Sequence, residues 1–240
     1  MNNTTAVADK KPPFPFVAET RFGFWFLGTE VWHVSVLNRA LDDLLRLFKP
    51  RRSYPVILDI GVGQGTSLLE LPKRFGAEKM IAVDADAPSI EKAKIRAKNC
   101  AVPVEWHCTT AAALPAADAS VDMVFCHQTL HHIIDQEGAL AEAFRVLKPG
   151  GVFLVAESTK AYIESWIIYL LFRHPMHVQR TAEEYVAMAK AAGFTVAPEQ
   201  ISTPYLWWSR VDVGALEWFG FPVPQKREET LVNFIAFKPA

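Results

Sequence analysis

The run Val56-Ile57-Leu58-Asp59-Ile60-Gly61-Val62-Gly63-Gln64-Gly65-Thr66 constrains this chain more than any other stretch. A short apolar segment reads as a buried strand, glycine then stands at every second place, and the pattern from Ser67 to Arg74 reads as a helix. Strand, glycine turn and helix in that order form a cradle for an adenosine-containing ligand. The ligand lies against bare backbone, where a Cβ would collide with it. The spacing narrows the ligand. A dinucleotide turn needs G-x-G-x-x-G, but the sixth place from Gly61 is Thr66, and glycine falls one place early at Gly65. With Asp59 the run reads D-x-G-x-G-x-G.

Length and composition exclude several classes. A chain of 240 residues, half of them apolar, can bury one sizeable core and is not disordered throughout. Its 25 basic and 26 acidic residues leave a net charge of −1, which argues against a phosphate-tracking surface and hence against a nucleic-acid partner. The three cysteines have neither C-x-x-C spacing nor an even count, so they read as reduced thiols and imply a cytoplasmic protein. Residues 1–13 are polar, with no apolar core of a signal peptide. Trp166–Phe172, the most apolar run outside the strands, is far shorter than the ~20 residues a bilayer span needs. The expectation is a soluble protein without a membrane span, with membrane-surface contact and a homodimer both left open.

Along the chain, residues 1–50 read as a tail and a helical lid. Aromatics cluster from Phe14 to Trp32, and apolar residues at spacings of three and four predict a helix from about Thr29 to Phe48, stopped by Lys49-Pro50-Arg51-Arg52. Residues 51–240 read as the main domain. Strands are predicted at Val56–Ile60, Met80–Val83, Val104–Cys108, Val121–Cys126 and Val152–Glu157. Helices are predicted at Ser67–Phe75, Pro88–Lys98, Gln136–Leu147 and Thr181–Ala192, with a turn at Pro149-Gly150-Gly151. Thr195–Ala197 and Thr230–Phe237 are predicted to pair as an antiparallel edge. Such alternation implies an α/β fold, a doubly wound, mostly parallel Rossmann-like sheet with its ligand at the carboxyl ends of the strands. Apolar insertions interrupt it at 158–180 and 202–229.

Four more segments stand in order after the glycine turn. Asp84 ends the second strand, 19 residues after Gly65. Leu114-Pro115 precedes Val121-Asp122-Met123-Val124; Leu130-His131-His132-Ile133 follows the fourth strand; and Phe144-Arg145-Val146-Leu147-Lys148-Pro149-Gly150-Gly151 precedes the fifth. Together they resemble the class I S-adenosylmethionine (SAM) methyltransferases of the small-molecule type, a group that includes the ubiquinone and menaquinone biosynthesis methyltransferases. The resemblance is specific over residues 56–157, moderate over 181–197 and weak elsewhere. It implies a seven-stranded sheet and SAM as cofactor, with S-adenosylhomocysteine as product. The implied cofactor contacts are Asp59, Gly61, Gly63, Gly65, Asp84, Ala85, Thr110, Ala111 and His127. Asp84 would accept hydrogen bonds from the ribose hydroxyls, and the methionine end would lie near Gly61 and Gly63. One departure stands out: Thr110 occupies the place where the family usually has an aspartate facing the adenine amino group, leaving a weaker, uncharged acceptor.

Methyl transfer from a sulfonium leaves a neutral group, so alignment and exclusion of water are the main requirements. A base is needed only if the acceptor carries a proton. His131 and His132 are the candidate catalytic bases, with packing or capping of the following helix as the alternative. Trp25, Tyr162, Trp166 and Trp207 are candidate substrate contacts, because the lid and the insertions are aromatic and carry few charges. They imply a hydrophobic small-molecule acceptor such as an isoprenoid, quinone, lipid-like or aromatic metabolite; core packing or a dimer contact is the alternative. No His, Cys or carboxylate cluster has metal-ligand spacing, so no metal is expected. Two other functions stay open: methylation of a protein or nucleic acid, and a SAM-binding scaffold without catalysis.

Overall fold

The computed structural model describes residues 17–48, 53–210 and 212–240. Phe14, Phe16, the polar segment 1–13 and the helix stop at residues 49–52 lie outside the described residues. The centre is a seven-stranded sheet of β1 (Val56–Ile60), β2 (Lys79–Asp84), β3 (Val104–Cys108), β4 (Val121–His127), β5 (Leu147–Ser158), β6 (Ile201–Ser202) and β7 (Leu231–Phe237). The spatial order is β3-β2-β1-β4-β5-β7-β6. Strands β1 to β5 run parallel, and β7 runs antiparallel to both β5 and β6. The order reverses between β1 and β4, so the crevice at their carboxyl ends is the place where a doubly wound sheet binds ligands.

Alternation along the strands divides the core in two. Leu58 and Ile60 face the layer formed by α6 (Gln136–Val146) and α9 (Ala182–Ala191), through Leu140, Ala143, Tyr185 and Ala189. Ile57 faces the other layer with Met80 and Phe125, against α3 (Arg39–Phe48), α4 (Ser67–Phe75) and α5 (Ala87–Arg96). The lid is α1 (Arg21–Phe26), followed by α2 (Glu30–Trp32), a wider-wound π-helical stretch at His33–Asn38, and α3. The insertions carry α7 (Lys160–Ile163), α8 (Trp166–Leu171) and α10 (Ala215–Trp218).

Local chemistry explains several boundaries. Pro72 sits inside α4 and cannot donate to the carbonyl of Leu68; the Cys100 thiol donates to that carbonyl instead, at 3.2 Å. α9 begins with a capping box in which Thr181 and Glu184 exchange hydrogen bonds, as its sequence predicts. Two predicted features differ. Thr195 forms only an isolated bridge with Phe237, and the sixth strand is Ile201–Ser202. Pro198 opens a 3-10 turn at Pro198–Gln200, and a proline cannot donate to a strand ladder. Pro149-Gly150-Gly151 forms the irregular start of β5, where the register against β4 shifts between Val121 and Met123.

Candidate active site

A cavity of about 790 Å³ opens at the carboxyl ends of β1, β2 and β4. One end is polar. Asp59, Gly61, Gly63, Asp84, Thr110 and Ala111 line it, as do Ala85 and His127. Asp84 is held by two backbone donors: the Gly63 N–H to Oδ2 and the Asp86 N–H to Oδ1, each at 2.8 Å. The terminal carboxylate of β2 therefore shapes the glycine turn. Asp59 accepts from the Ser67 hydroxyl at 2.5 Å, which fixes the first turn of α4 against β1. Burial pushes the Asp84 carboxyl up to about 6, against the backbone hydrogen bonds it accepts. Burial likewise raises Asp59 to about 7, with the nearby Asp84 charge adding to the rise.

The three glycines differ in role. Gly63 has φ +53, and a Cβ there would meet nothing closer than the Gly61 carbonyl at 3.9 Å, so bare backbone faces the cavity. Gly65 does not line the cavity. Its φ is +82, and a Cβ would lie 2.9 Å from the Ala93 Cα, so this glycine lets α5 pack onto the turn. Gln64, between them, donates from its side-chain amide to the carbonyl of Phe24 and ties the lid to the turn.

The other end is aromatic and apolar. Phe22 and Phe26 of α1 stack with centroids 6.1 Å apart, and both meet the edge of Phe172 at 5.7 and 5.9 Å. Trp32 packs on His127 at 5.7 Å. The Thr20 hydroxyl donates to the Leu171 carbonyl at 2.7 Å, which joins α1 to the end of α8. Tyr162 and Trp207 line this end, though Trp207 is 63% exposed at its rim. Trp25 and Trp166 do not line the cavity. They are 63% and 65% exposed, with Trp25 against the outer side of Phe22.

The two candidate bases have different surroundings. His131 is buried, and its Nδ1 donates to Glu157 Oε2 at 2.7 Å. Glu157 also accepts from the Thr129 and Leu130 N–H groups, at 2.6 and 2.7 Å. That carboxylate fixes the ring and leaves Nε2 as its remaining nitrogen. His132 has no such support, and burial pushes it well below the ordinary histidine range. His127 is pushed down to about 3 by burial, so it is a neutral wall of the cavity. Its Nε2 is buried with no partner among the described residues, as expected of a group that awaits a ligand.

Sequence reading passed over Phe22, Phe26, Trp32 and Phe172 as individual contacts, although all lie in segments it marked as aromatic. It dismissed metal binding at His174 for want of helical ligand spacing; the fold joins His174 to His131 and His132 on the cavity wall. No helical spacing connects these three in the chain, so only the fold assembles them.

A cradle of bare backbone, two acids at the strand ends and an orphaned buried nitrogen fit a cationic nucleoside ligand. The family model described as a methyltransferase domain matches residues 58–155. The ubiquinone biosynthesis O-methyltransferase of Parvibaculum lavamentivorans is 34% identical over 99 residues, 41% of this chain and 38% of that enzyme. A probable S-adenosylmethionine-dependent methyltransferase of Mycolicibacterium smegmatis is 33% identical over 184 residues, 76% of this chain and 63% of that protein. The chain thus spans less than half of the first relative and under two-thirds of the second. Among solved structures, Haemonchus contortus phosphoethanolamine N-methyltransferase 2, in complex with phosphomonomethylethanolamine and S-adenosylhomocysteine, superposes with a TM-score of 0.68 at 21% identity, over 91% of this chain and 56% of that one. Among the described residues no helix is long and apolar enough to cross a membrane. The stretch that holds the glycine turn, Asp84 and the histidine pair therefore matches a methyltransferase domain, and its cradle suits S-adenosylmethionine as the cofactor.

Proposed function

We propose that this chain transfers a methyl group from S-adenosylmethionine to an apolar, ring-bearing small molecule, of which a quinol is the type. The observation that carries this reading is the polarity of the cavity: acids and bare glycine backbone at one end, Phe22, Phe26, Trp32 and Phe172 at the other. The cofactor supplies an electrophilic methyl on a sulfonium. Asp84 would take the ribose hydroxyls, Gly61 and Gly63 would admit the methionine end, and Thr110 and Ala111 would flank the base. The aromatic end excludes water and holds the acceptor ring in line with the methyl. An acceptor proton, where there is one, leaves toward the imidazole face of His131 and His132. The names of the curated relatives favour a quinol, and the aromatic lining of the acceptor end favours it over a zwitterion.

Methylation of a protein or nucleic acid is a weaker reading, because the described cavity is walled by the lid. The test is transfer of a labelled methyl from SAM to a panel of phenols, prenylated quinols and small polar amines. Turnover on the apolar phenols with no turnover on glycine supports the proposal. Turnover confined to glycine or to similar hydrophilic amines overturns it.

A further inference from the structure

Three imidazoles converge on the wall of the acceptor end. The ring centroids of His131 and His132 are 4.3 Å apart, those of His132 and His174 are 4.7 Å, and those of His131 and His174 are 5.1 Å. One ring nitrogen from each lies within 4.8 Å of the other two. No hydrogen bond joins His132 or His174 to any described residue through its ring, so nothing in the fold uses these nitrogens.

The arrangement is built rather than incidental. His131 and His132 lie in the 3-10 turn Leu130–His132 after β4, and His174 lies after α8. Two buried side-chain amides bind these segments together. Gln136 Nε2 donates to the carbonyls of Leu130 and Val178, at 2.9 and 3.0 Å. Gln179 Nε2 donates to those of His131 and Pro175, also at 2.9 and 3.0 Å. Behind His131 stands Glu157, fully buried, with its carboxylate on Nδ1. A carboxylate on the far nitrogen of a histidine is the arrangement that orients metal-ligating imidazoles and raises their basicity.

We propose that His131, His132 and His174 bind a divalent transition metal of the zinc type, leaving one coordination position open to the acceptor cavity. An all-imidazole set selects zinc, cobalt, nickel or copper over magnesium or calcium, which prefer oxygen. Three protein nitrogens with a free fourth place is the arrangement of a catalytic rather than a structural zinc site. Tetrahedral bonds of about 2.0–2.1 Å set ligand nitrogens roughly 3.3 Å apart, within reach of small side-chain rotations from the present geometry. Glu19 also lines the cavity; its Oε1 accepts from the Arg173 N–H at 2.9 Å, next to His174.

The role of the metal rests on the methyl-transfer reading; its binding does not. With the metal bound these imidazoles would be ligands and not bases, and an acceptor hydroxyl at the open position would lose its proton to water more readily. The oxygen lone pair then forms the new C–O bond as the C–S bond breaks, and that electron pair stays on sulfur.

The test is titration of the full chain with Co²⁺, without cofactor or acceptor. One Co²⁺ per chain, with the visible absorption of a four-coordinate site, is expected. His174→Ala and His132→Ala each abolish that absorption, and Glu157→Gln raises the Co²⁺ dissociation constant 10- to 100-fold. S-Adenosylhomocysteine binding within threefold of wild type shows that the His174→Ala chain is folded, and His174→Gln serves if it is not. Absence of stoichiometric uptake overturns the proposal. So does uptake that survives His174→Ala and is lost in Cys108→Ser. Because cofactor binding is read separately, either outcome leaves the methyltransferase reading to its own test.

Discussion

Asp84 is the residue on which most of the proposed cofactor site turns. It holds the Gly63 backbone and, when the cofactor is bound, would take two hydroxyl donors as well. Charge-assisted hydrogen bonds contribute about 1.5–3 kcal/mol each, so Asp84→Asn should weaken S-adenosylhomocysteine binding by roughly 10- to 100-fold in calorimetry. The pH dependence has a definite sign. Burial raises the unliganded Asp84 carboxyl to about 6, and a bound ribose needs it ionised. Affinity should be level above pH 7 and fall on acidification below about 6, toward tenfold per pH unit, as a proton must first be expelled. Asp59, raised to about 7, titrates in the same window and adds to the slope. Asp84→Asn should flatten the Asp84 part of this profile. A profile that improves on acidification would reverse the assigned role. Asp84 was legible in the sequence because a strand end and a fixed distance from a glycine turn define it. His174 was not, because its neighbours come from another segment and their meeting depends on Gln136 and Gln179.

Among elements, the packing of α5 on the glycine turn makes the sharpest demand. Gly65→Ala forces an L side chain into φ +82 and drives a Cβ to 2.9 Å from the Ala93 Cα. Left-handed strain and overpacking together predict a loss of about 2–4 kcal/mol, measurable as a lower midpoint in urea unfolding. An unchanged midpoint would mean that α5 moves away freely. The parallel strands and their helices were readable from apolar runs and caps, because β1, β2, β4 and β5 are buried along most of their length and the helices begin or end at a glycine, a proline or a polar cap. Two-residue β6 was not: so short a strand has no periodicity, and only its pairing with Phe234 and Asn233 defines it. The lid shows the same limit. An aromatic cluster was visible, but the stripe through Phe22 and Phe26 depends on how α1 rests on Phe172, and Trp25 and Trp166 fell on the outside.

At the scale of the whole molecule, the lid and the first insertion close one cavity whose two ends differ in polarity. The tethers include Gln64 to Phe24, Thr20 to Leu171, the Arg173 N–H to Glu19, and Arg96 to the Gly28 carbonyl at 3.2 Å. They place an aromatic wall over the glycine-turn end, so that on the proposed reading cofactor and acceptor would share one water-poor space. The type of cofactor could be read from a glycine turn, because close approach to backbone leaves a signature in the chain. The acceptor could be read only as a class, because its contacts are spread over segments with no common spacing. The most direct measurement is a calorimetric titration of the full chain with S-adenosylhomocysteine at pH 8. The account predicts one saturable site per chain, weakened in Asp84→Asn. Absence of binding heat at any temperature tried, together with no shift in melting temperature on adding either S-adenosylhomocysteine or S-adenosylmethionine, would contradict it.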